Sequence, residues 1–294
     1  MRALDSYHPI VIFTYFCSVI LFSMFFMHPI FLAISLLSSI IYLGVLKGFH
    51  KTKKTILLSI PIFLLIAISN PIFSHKGVTP LFYVNYNPIT LESIIYGLSM
   101  ASMIITVIYW FSCYNEIMTS DKFISLFGQV SPNIALIISM TLNTIPRMKS
   151  QIKLISNSQK TLGMYVTSGS IMKRAKSSIR ILSILITWAL ENAIDTADSM
   201  KSRGYGLKGR SSYSIFKFRK NDLILLSYII FLVIISLYGE FFDYISFSYY
   251  PYITDINSSS FAILLYFSYL LLMTLPVAIE FKEEIKWRSS ISKI

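Results

Sequence analysis

The sequence is poor in the residues that reactive sites are built from. It holds two cysteines, Cys17 inside one apolar run and Cys113 at the end of another. Neither has the spaced partners that a thiolate metal site or a disulfide framework requires, so both read as packing residues. There is no H-E-x-x-H and no G-x-S-x-G, and the histidines His8, His28, His50 and His75 are dispersed, as interfacial or loop residues would be. Charge is also scarce: 14% of residues are charged and 54% hydrophobic, with a mean hydropathy of +0.64. That balance excludes a soluble globular domain of ordinary make-up and implies an integral membrane protein. The first apolar run follows a single arginine, Arg2, and lacks a small-residue cleavage site, so it reads as a retained first span.

What is present is a set of long apolar runs. A spanning helix needs about 20 apolar residues, and residues 9–27, 29–45, 55–73, 89–112, 223–238 and 259–279 qualify. A tight turn at Met27-His28-Pro29 separates the first two, while Asn70-Pro71 and the segment from Pro80 to Pro88 punctuate the outer side of the next pair. The expected fold is all-α: a polytopic membrane protein with about six transmembrane helices and a helical insert between spans 4 and 5. Its divisions fall at residues 1–112, a membrane domain, 113–222, a cytoplasmic domain, and 223–294, the last spans and a tail. Lys/Arg bias sets the orientation. The turn containing Lys47, Lys51, Lys53 and Lys54 is basic, residues 74–88 hold only Lys76, and residues 240–257 hold three acids with no Lys or Arg. Both termini and the basic turn are therefore expected in the cytoplasm.

Residues 114–222 contain 16 Lys/Arg against 6 Asp/Glu, so 16 − 6 = +10 of the chain's net +12 lies in this insert. Cations beside a bilayer are attracted to anionic headgroups, which accounts for Lys173, Arg174, Lys176, Arg180, Lys217, Arg219 and Lys220 flanking apolar helices. No nucleic-acid fold pattern accompanies the charge, so nucleic acid is not an expected partner. Two apolar runs, 132–145 and 179–190, are too short to cross about 30 Å of hydrocarbon. They must pack on protein or lie at the membrane face. Ser131-Pro132 is an N-cap and N1 pair for the first. The second continues without Gly or Pro to Arg203, giving a helix over 177–203 about 40 Å long, apolar at first and then charged.

The end of that helix is the most informative stretch: Ala197-Asp198-Ser199-Met200-Lys201-Ser202-Arg203-Gly204-Tyr205-Gly206. Gly204 can take the left-handed conformation that stops a helix, and Arg203 gains from the negative end of the dipole. An arginine there is either a solvated cap or a rigid fork for a carboxylate. Gly204-Tyr205-Gly206-Leu207-Lys208-Gly209 fits G-x-G-x-x-G, and the stretch through Ser211 comes within one residue of a phosphate-binding loop. Both motifs need a preceding strand and a following helix, and here a helix precedes and a basic, aromatic connection follows. Asn192, Asp195 and Asp198 resemble the magnesium-binding acids of membrane prenyltransferases, which require a second acid cluster that this sequence does not contain.

With these residues the chain resembles the transmembrane T component of energy-coupling factor transporters, the family that includes the cobalt-transport membrane subunit. The resemblance runs from Leu4-Asp5 to about Asp222. It rests on Ile89-Thr90-Leu91-Glu92, the Ile145-Pro146-Arg147 step, Gln159 within residues 156–163, and the Arg203-Gly204-Tyr205 end. It implies a non-catalytic scaffold. Two coupling helices would each end in an X-Arg-X motif seated in one of two ABC-type ATPases, or a fused pair, and the membrane helices would hold a substrate-binding S component. ATP and magnesium would be bound by the ATPases, so no cofactor or metal is expected in this chain. Vitamin or transition-metal uptake across the bacterial plasma membrane is the implied activity, the substrate being chosen by the S component.

Carried over, the second motif is Ser202-Arg203-Gly204, with Asp198 and Tyr205 in support. The first falls on Thr161-Leu162-Gly163, with Gln159, Lys160, Pro146 and Arg147 in support, and has Leu162 where the family has arginine. Either Lys160 substitutes, or that ATPase is held by packing alone, or the two ATPase halves are unequal. The alternatives are a membrane-embedded lipid or prenyl enzyme and an anchor for another cytoplasmic complex. The tail 280–294 reads as an amphipathic end.

Overall fold

The computed structural model describes residues 3–74, 76–84, 87–164, 168, 170–205, 216–242 and 244–291. The chain divides into two compact units, Met1–Phe123 with Phe216–Ile294, and Ile124–Ile215.

The first unit is built from α1 (Pro9–Phe25), α2 (Pro29–Lys47), α3 (Phe49–Phe73), α4 (Leu91–Ile117), α8 (Lys220–Phe241) and α9 (Ser260–Ile291). The starts of α1 and α2 share one device. In His8-Pro9-Ile10 and His28-Pro29-Ile30 the histidine is the N-cap, its Nδ1 accepts the isoleucine N–H at 3.3 Å, and proline occupies the first turn. Proline there loses no hydrogen bond and presets the helical φ. Gly48, at φ +79, ends α2 and lets α3 follow at once. α4 contacts α1, α2 and α3, while α9 packs on α2 and α8.

The core of this unit is aromatic. Trp110, Tyr15, Phe16, Tyr42 and Tyr269 are almost fully buried, with the Trp110 ring 6.2–6.3 Å from those of Tyr15, Phe16 and Tyr42. Some of their polar atoms are paired inside: Ser35 Oγ accepts Trp110 Nε1–H at 3.1 Å and lies 2.7 Å from Ser23 Oγ, and the Tyr15 hydroxyl donates to the Met273 carbonyl at 3.4 Å. A bilayer offers no water for such groups, so internal pairing is what permits them. The outer surface is apolar instead, with Leu57, Leu58 and Leu65 of α3 and Leu223, Ile224 and Phe231 of α8 exposed.

Among the described residues α2, α3, α4, α7 (Ile171–Ser202), α8 and α9 are long and apolar enough to cross a membrane. This is a multi-pass membrane protein. α1, expected as a full span, has 17 residues, about 26 Å, at the short end of the spanning range.

Three local expectations are corrected. The proline-rich connection after α3 folds as an antiparallel hairpin of β1 (Pro80–Val84) and β2 (Asn87–Thr90), because prolines and β-formers suit an edge pair. α3 ends at Phe73 as expected, with Pro61 and Pro71 inside it, and starts at Phe49 rather than at residue 55. The long helix of the insert starts at Ile171 rather than at residue 177, giving 32 residues and about 48 Å.

The second unit holds α6 (Pro132–Thr161) and α7, with α5 (Ser120–Val130) spanning the division. Ser131 is the N-cap of α6 and Pro132 its first residue, as expected. α6 and α7 pack through Ile155, Ile181 and Leu185, with Met148 and Trp188 against them. Arg180 lies beside Met164, just past the end of α6, while Ile181 and Leu185 pack with Ile155 inside it, so α7 runs back along α6, antiparallel to it. The core is thin: Ile137, Leu154, Ile179, Leu182, Leu190 and Ile194 are all more than half exposed.

Candidate functional site

The two ends singled out in the sequence have one geometry. α6 stops at Thr161 and Leu162 is its C-cap, with φ −87 and ψ 11. Gly163 follows at φ +76, its N–H donating to the Lys160 carbonyl at 3.0 Å, while Met164 N–H donates to the Gln159 carbonyl at 3.0 Å. α7 stops at Ser202 with Arg203 as C-cap, φ −84 and ψ 7. Gly204 again stands at φ +76, its N–H on the Lys201 carbonyl at 3.0 Å and Tyr205 N–H on the Met200 carbonyl at 3.0 Å. Each glycine supplies a left-handed residue that closes two orphan carbonyls. Leu162 and Arg203 are therefore equivalent positions, each the last residue before the chain reverses.

Both side chains face solvent. Leu162 is 67% exposed, an unfavourable place for an isobutyl group in a lone chain, and Arg203 is exposed at the negative end of a 32-residue helix. Lys160 is exposed two residues before Leu162 and carries the only cation in the last turn of α6. Because α6 and α7 are antiparallel, the two capped ends leave the pair at opposite ends.

The supporting residues divide. Gln159 belongs to the tip through its carbonyl, and its side-chain Oε1 is a buried acceptor with no hydrogen bond among the described residues. Asp198 faces Lys201 at 3.8 Å with both side chains mostly in water, so their pairing contributes little. Tyr205 closes the α7 end through its backbone. Pro146 and Arg147 are not at the tip: Pro146 lies inside α6, and Arg147 is 15 residues, about 22 Å, from Leu162. The glycine stretch begins directly after α7, so no strand precedes it; Gly206, Gly209, Ser211 and His75 lie outside the described residues.

Sequence reasoning missed two features of the first unit. Asp222, counted only as a charge, is buried and its carboxylate bridges two helix starts, accepting His8 N–H at 3.0 Å and Arg219 N–H at 2.7 Å. Glu92, named only as a marker of the resemblance, is also buried, accepts Thr79 Oγ1–H at 2.9 Å and fixes the connection that carries β1. An acid within the first turn of a helix was the available signal for both.

Residues 7–214 match the family described as cobalt transport protein. The chain is similar to the energy-coupling factor transporter transmembrane protein EcfT of Lactobacillus helveticus, 39% identical over 113 residues, 38% of this chain and 41% of that one. It is 35% identical over 109 residues to the protein of the same name from Lactococcus lactis, 36% of this chain and 41% of that relative. With the Listeria innocua protein of that name it shares 31% identity over 180 residues, 56% of this chain and 68% of that one. The chain thus spans about two fifths of the length of the first two relatives. The family match leaves α8 and α9 outside it.

Proposed function

This chain belongs to the cobalt transport protein family, and from that premise we propose that it is the membrane scaffold of an energy-coupling factor importer. In this reading it couples ATP hydrolysis by two cytoplasmic ATPases to reorientation of a membrane-embedded S component that carries a vitamin or transition metal. The chain itself is non-catalytic. The observation that carries the reading is the pair of identically closed helix ends, each presenting one exposed side chain, Leu162 or Arg203, at opposite ends of one helical pair. Two like ATPases need two like contact points, and movement of one rigid pair would transmit their closure.

Arg203 is the residue on which coupling would depend. Its guanidinium can grip a carboxylate with two hydrogen bonds, while the dipole and the Gly204 stop hold it at the tip. Removing one partner of a desolvated charge pair at an interface costs about 2–5 kcal/mol. Arg203→Ala and Arg203→Glu should abolish uptake by weakening ATPase docking or uncoupling hydrolysis, with membrane insertion and S-component binding preserved. Arg203→Lys should be partly active, since a point charge keeps the attraction and loses the fork. Uptake assays combined with pull-down of the ATPases test this. Normal transport by Arg203→Glu with both ATPases bound would reduce the arginine to a helix cap.

A further inference from the structure

Beside the α6 end lies a cavity of about 430 Å³ between that end and the start of α7, wholly inside the second unit. Lys173, Lys176, Ser177 and Arg180 line it from α7, at the spacing that puts them on one helix face, and Gly163 and Met164 line it from the connection. No carboxylate is among the residues lining it. Three like charges on one face repel each other. Lys173 also stands in the first turn of α7, where the dipole disfavours a cation, and that turn holds no acid. The arrangement is unfavourable for an isolated chain and is relieved by an anion.

The Arg180 side chain is exposed and lies beside Met164, whose thioether is a weak, uncharged acceptor. The guanidinium therefore keeps its fork donors for a stronger acceptor. A tetrahedral anion with three or four oxygens suits this set: the fork takes two oxygens, the two ammonium groups supply point charges, and Ser177 offers a hydroxyl. The volume exceeds that of a bare phosphate and leaves room for an ester substituent.

We propose that this cavity is a phosphate-binding site in which Lys173, Lys176 and Arg180 hold the anion. The phosphate comes from a phospholipid headgroup or from free phosphate. A lipid fits the neighbouring surface, because Ile171, Met172, Ile179 and Leu182 form an exposed apolar stripe on the flank of the same helix, where acyl chains can lie. The cavity borders the α6 tip through Gly163, while Lys173, Lys176 and Arg180 carry no part of the proposed ATPase coupling.

The test is native mass spectrometry on the full chain in mild detergent, with phosphatidylglycerol, diacylglycerol and inorganic phosphate as probes. Lys173→Gln/Lys176→Gln/Arg180→Gln is compared with Lys51→Gln/Lys53→Gln/Lys54→Gln, which removes equal charge from the exposed start of α3. The α7 variant should weaken phosphate-probe binding by about tenfold, and the α3 variant by less than about twofold. Circular dichroism of both variants confirms that helix content is unchanged. Phosphatidylglycerol binding that millimolar inorganic phosphate does not displace assigns the lipid source; binding of inorganic phosphate alone, with displacement, assigns the free anion. Equal losses in the two variants, or phosphatidylglycerol binding no better than diacylglycerol with no inorganic phosphate bound, would overturn the site. No ATPase or uptake step enters the assay, so its failure leaves the coupling proposal untouched.

Discussion

Leu162 and Arg203 occupy the same position in the same backbone motif, so exchanging their chemistry isolates the side chain from the fold. Leu162→Arg should leave α6 intact, since a C-cap residue exposed to 67% makes room for a longer side chain and a cation is favoured at a helix C-terminus. ATPase pull-down should be unchanged or tightened, by an amount on the order of 1 kcal/mol for a partly exposed pair. Loss of assembly would show instead that Leu162 fills an apolar pocket on the partner. Gly163 is a second lever. A Cβ there meets nothing within 4 Å, so Gly163→Ala is opposed by the backbone at φ +76 and not by packing. It should cost about 1 kcal/mol of stability, read as a lower Tm of the chain in detergent, with helix content retained.

Two helix starts in the first unit depend on single side chains. Asp222 accepts a backbone N–H from the start of α1 and one from the start of α8. Asp222→Ala orphans both, at about 1–3 kcal/mol for the buried His8 donor and less for the part-buried Arg219 donor, whereas Asp222→Asn keeps one acceptor and should lose roughly half as much. Thermal unfolding of the two variants against the natural chain checks the order. His28 makes the other start sensitive to pH. It is buried among Phe31, Phe247 and Tyr266, and its Nδ1 must stay unprotonated to accept from Ile30. Burial pushes its pKa down to about 4. As pH falls below the ordinary value of about 6.5, the unfolded chain takes up the proton before the folded one does. The stabilising contribution is therefore complete above about 6.5 and is lost as pH falls to about 4. The Tm of the natural chain should drop several degrees more over that window than that of His28→Asn, which keeps a capping side chain and does not titrate. Parallel profiles would exclude His28 as the cause.

On the scale of the whole molecule, the N-terminal turn and the distal part of α9 meet at one end of the first unit, where Glu280 accepts the N–H groups of Ala3 at 2.9 Å and Leu4 at 3.4 Å. The same end carries the ion pair between Lys122 and Asp5 and that between Lys47 and Glu116. The β1–β2 hairpin belongs to the other end, since α3 runs from the basic turn to the connection that carries it. Lys/Arg bias predicts that the charged end faces the cytoplasm. In a chain with Cys17→Ser and Cys113→Ala, Leu81→Cys should react with an impermeant thiol reagent in intact cells and Lys54→Cys should not. The reverse pattern would invert the predicted topology and count against the proposed docking of cytoplasmic ATPases.

The sequence alone determined the class of molecule and most of its helices. Apolar runs of spanning length, the Ser131-Pro132 start and Gly204 after Arg203 are local signals whose physics acts within one or two turns. The Arg203-Gly204 end was legible for that reason. Tertiary structure decided what depends on residues far apart in the chain. Asp222 reaches His8 across 214 positions, and Glu280 reaches Ala3 across 277. The resemblance already pairs Leu162 with Arg203, and the backbone angles of both ends add that the two positions share one geometry. The β1–β2 hairpin escaped the sequence because a proline, at Pro80 and Pro88 as at Pro71, marks an interruption whether the chain turns or bends slightly and continues. Which of these occurs is settled by the neighbours: α3 stays helical there because Pro71 is buried and packs beside Gly97 of α4, whose missing side chain leaves room for the close approach.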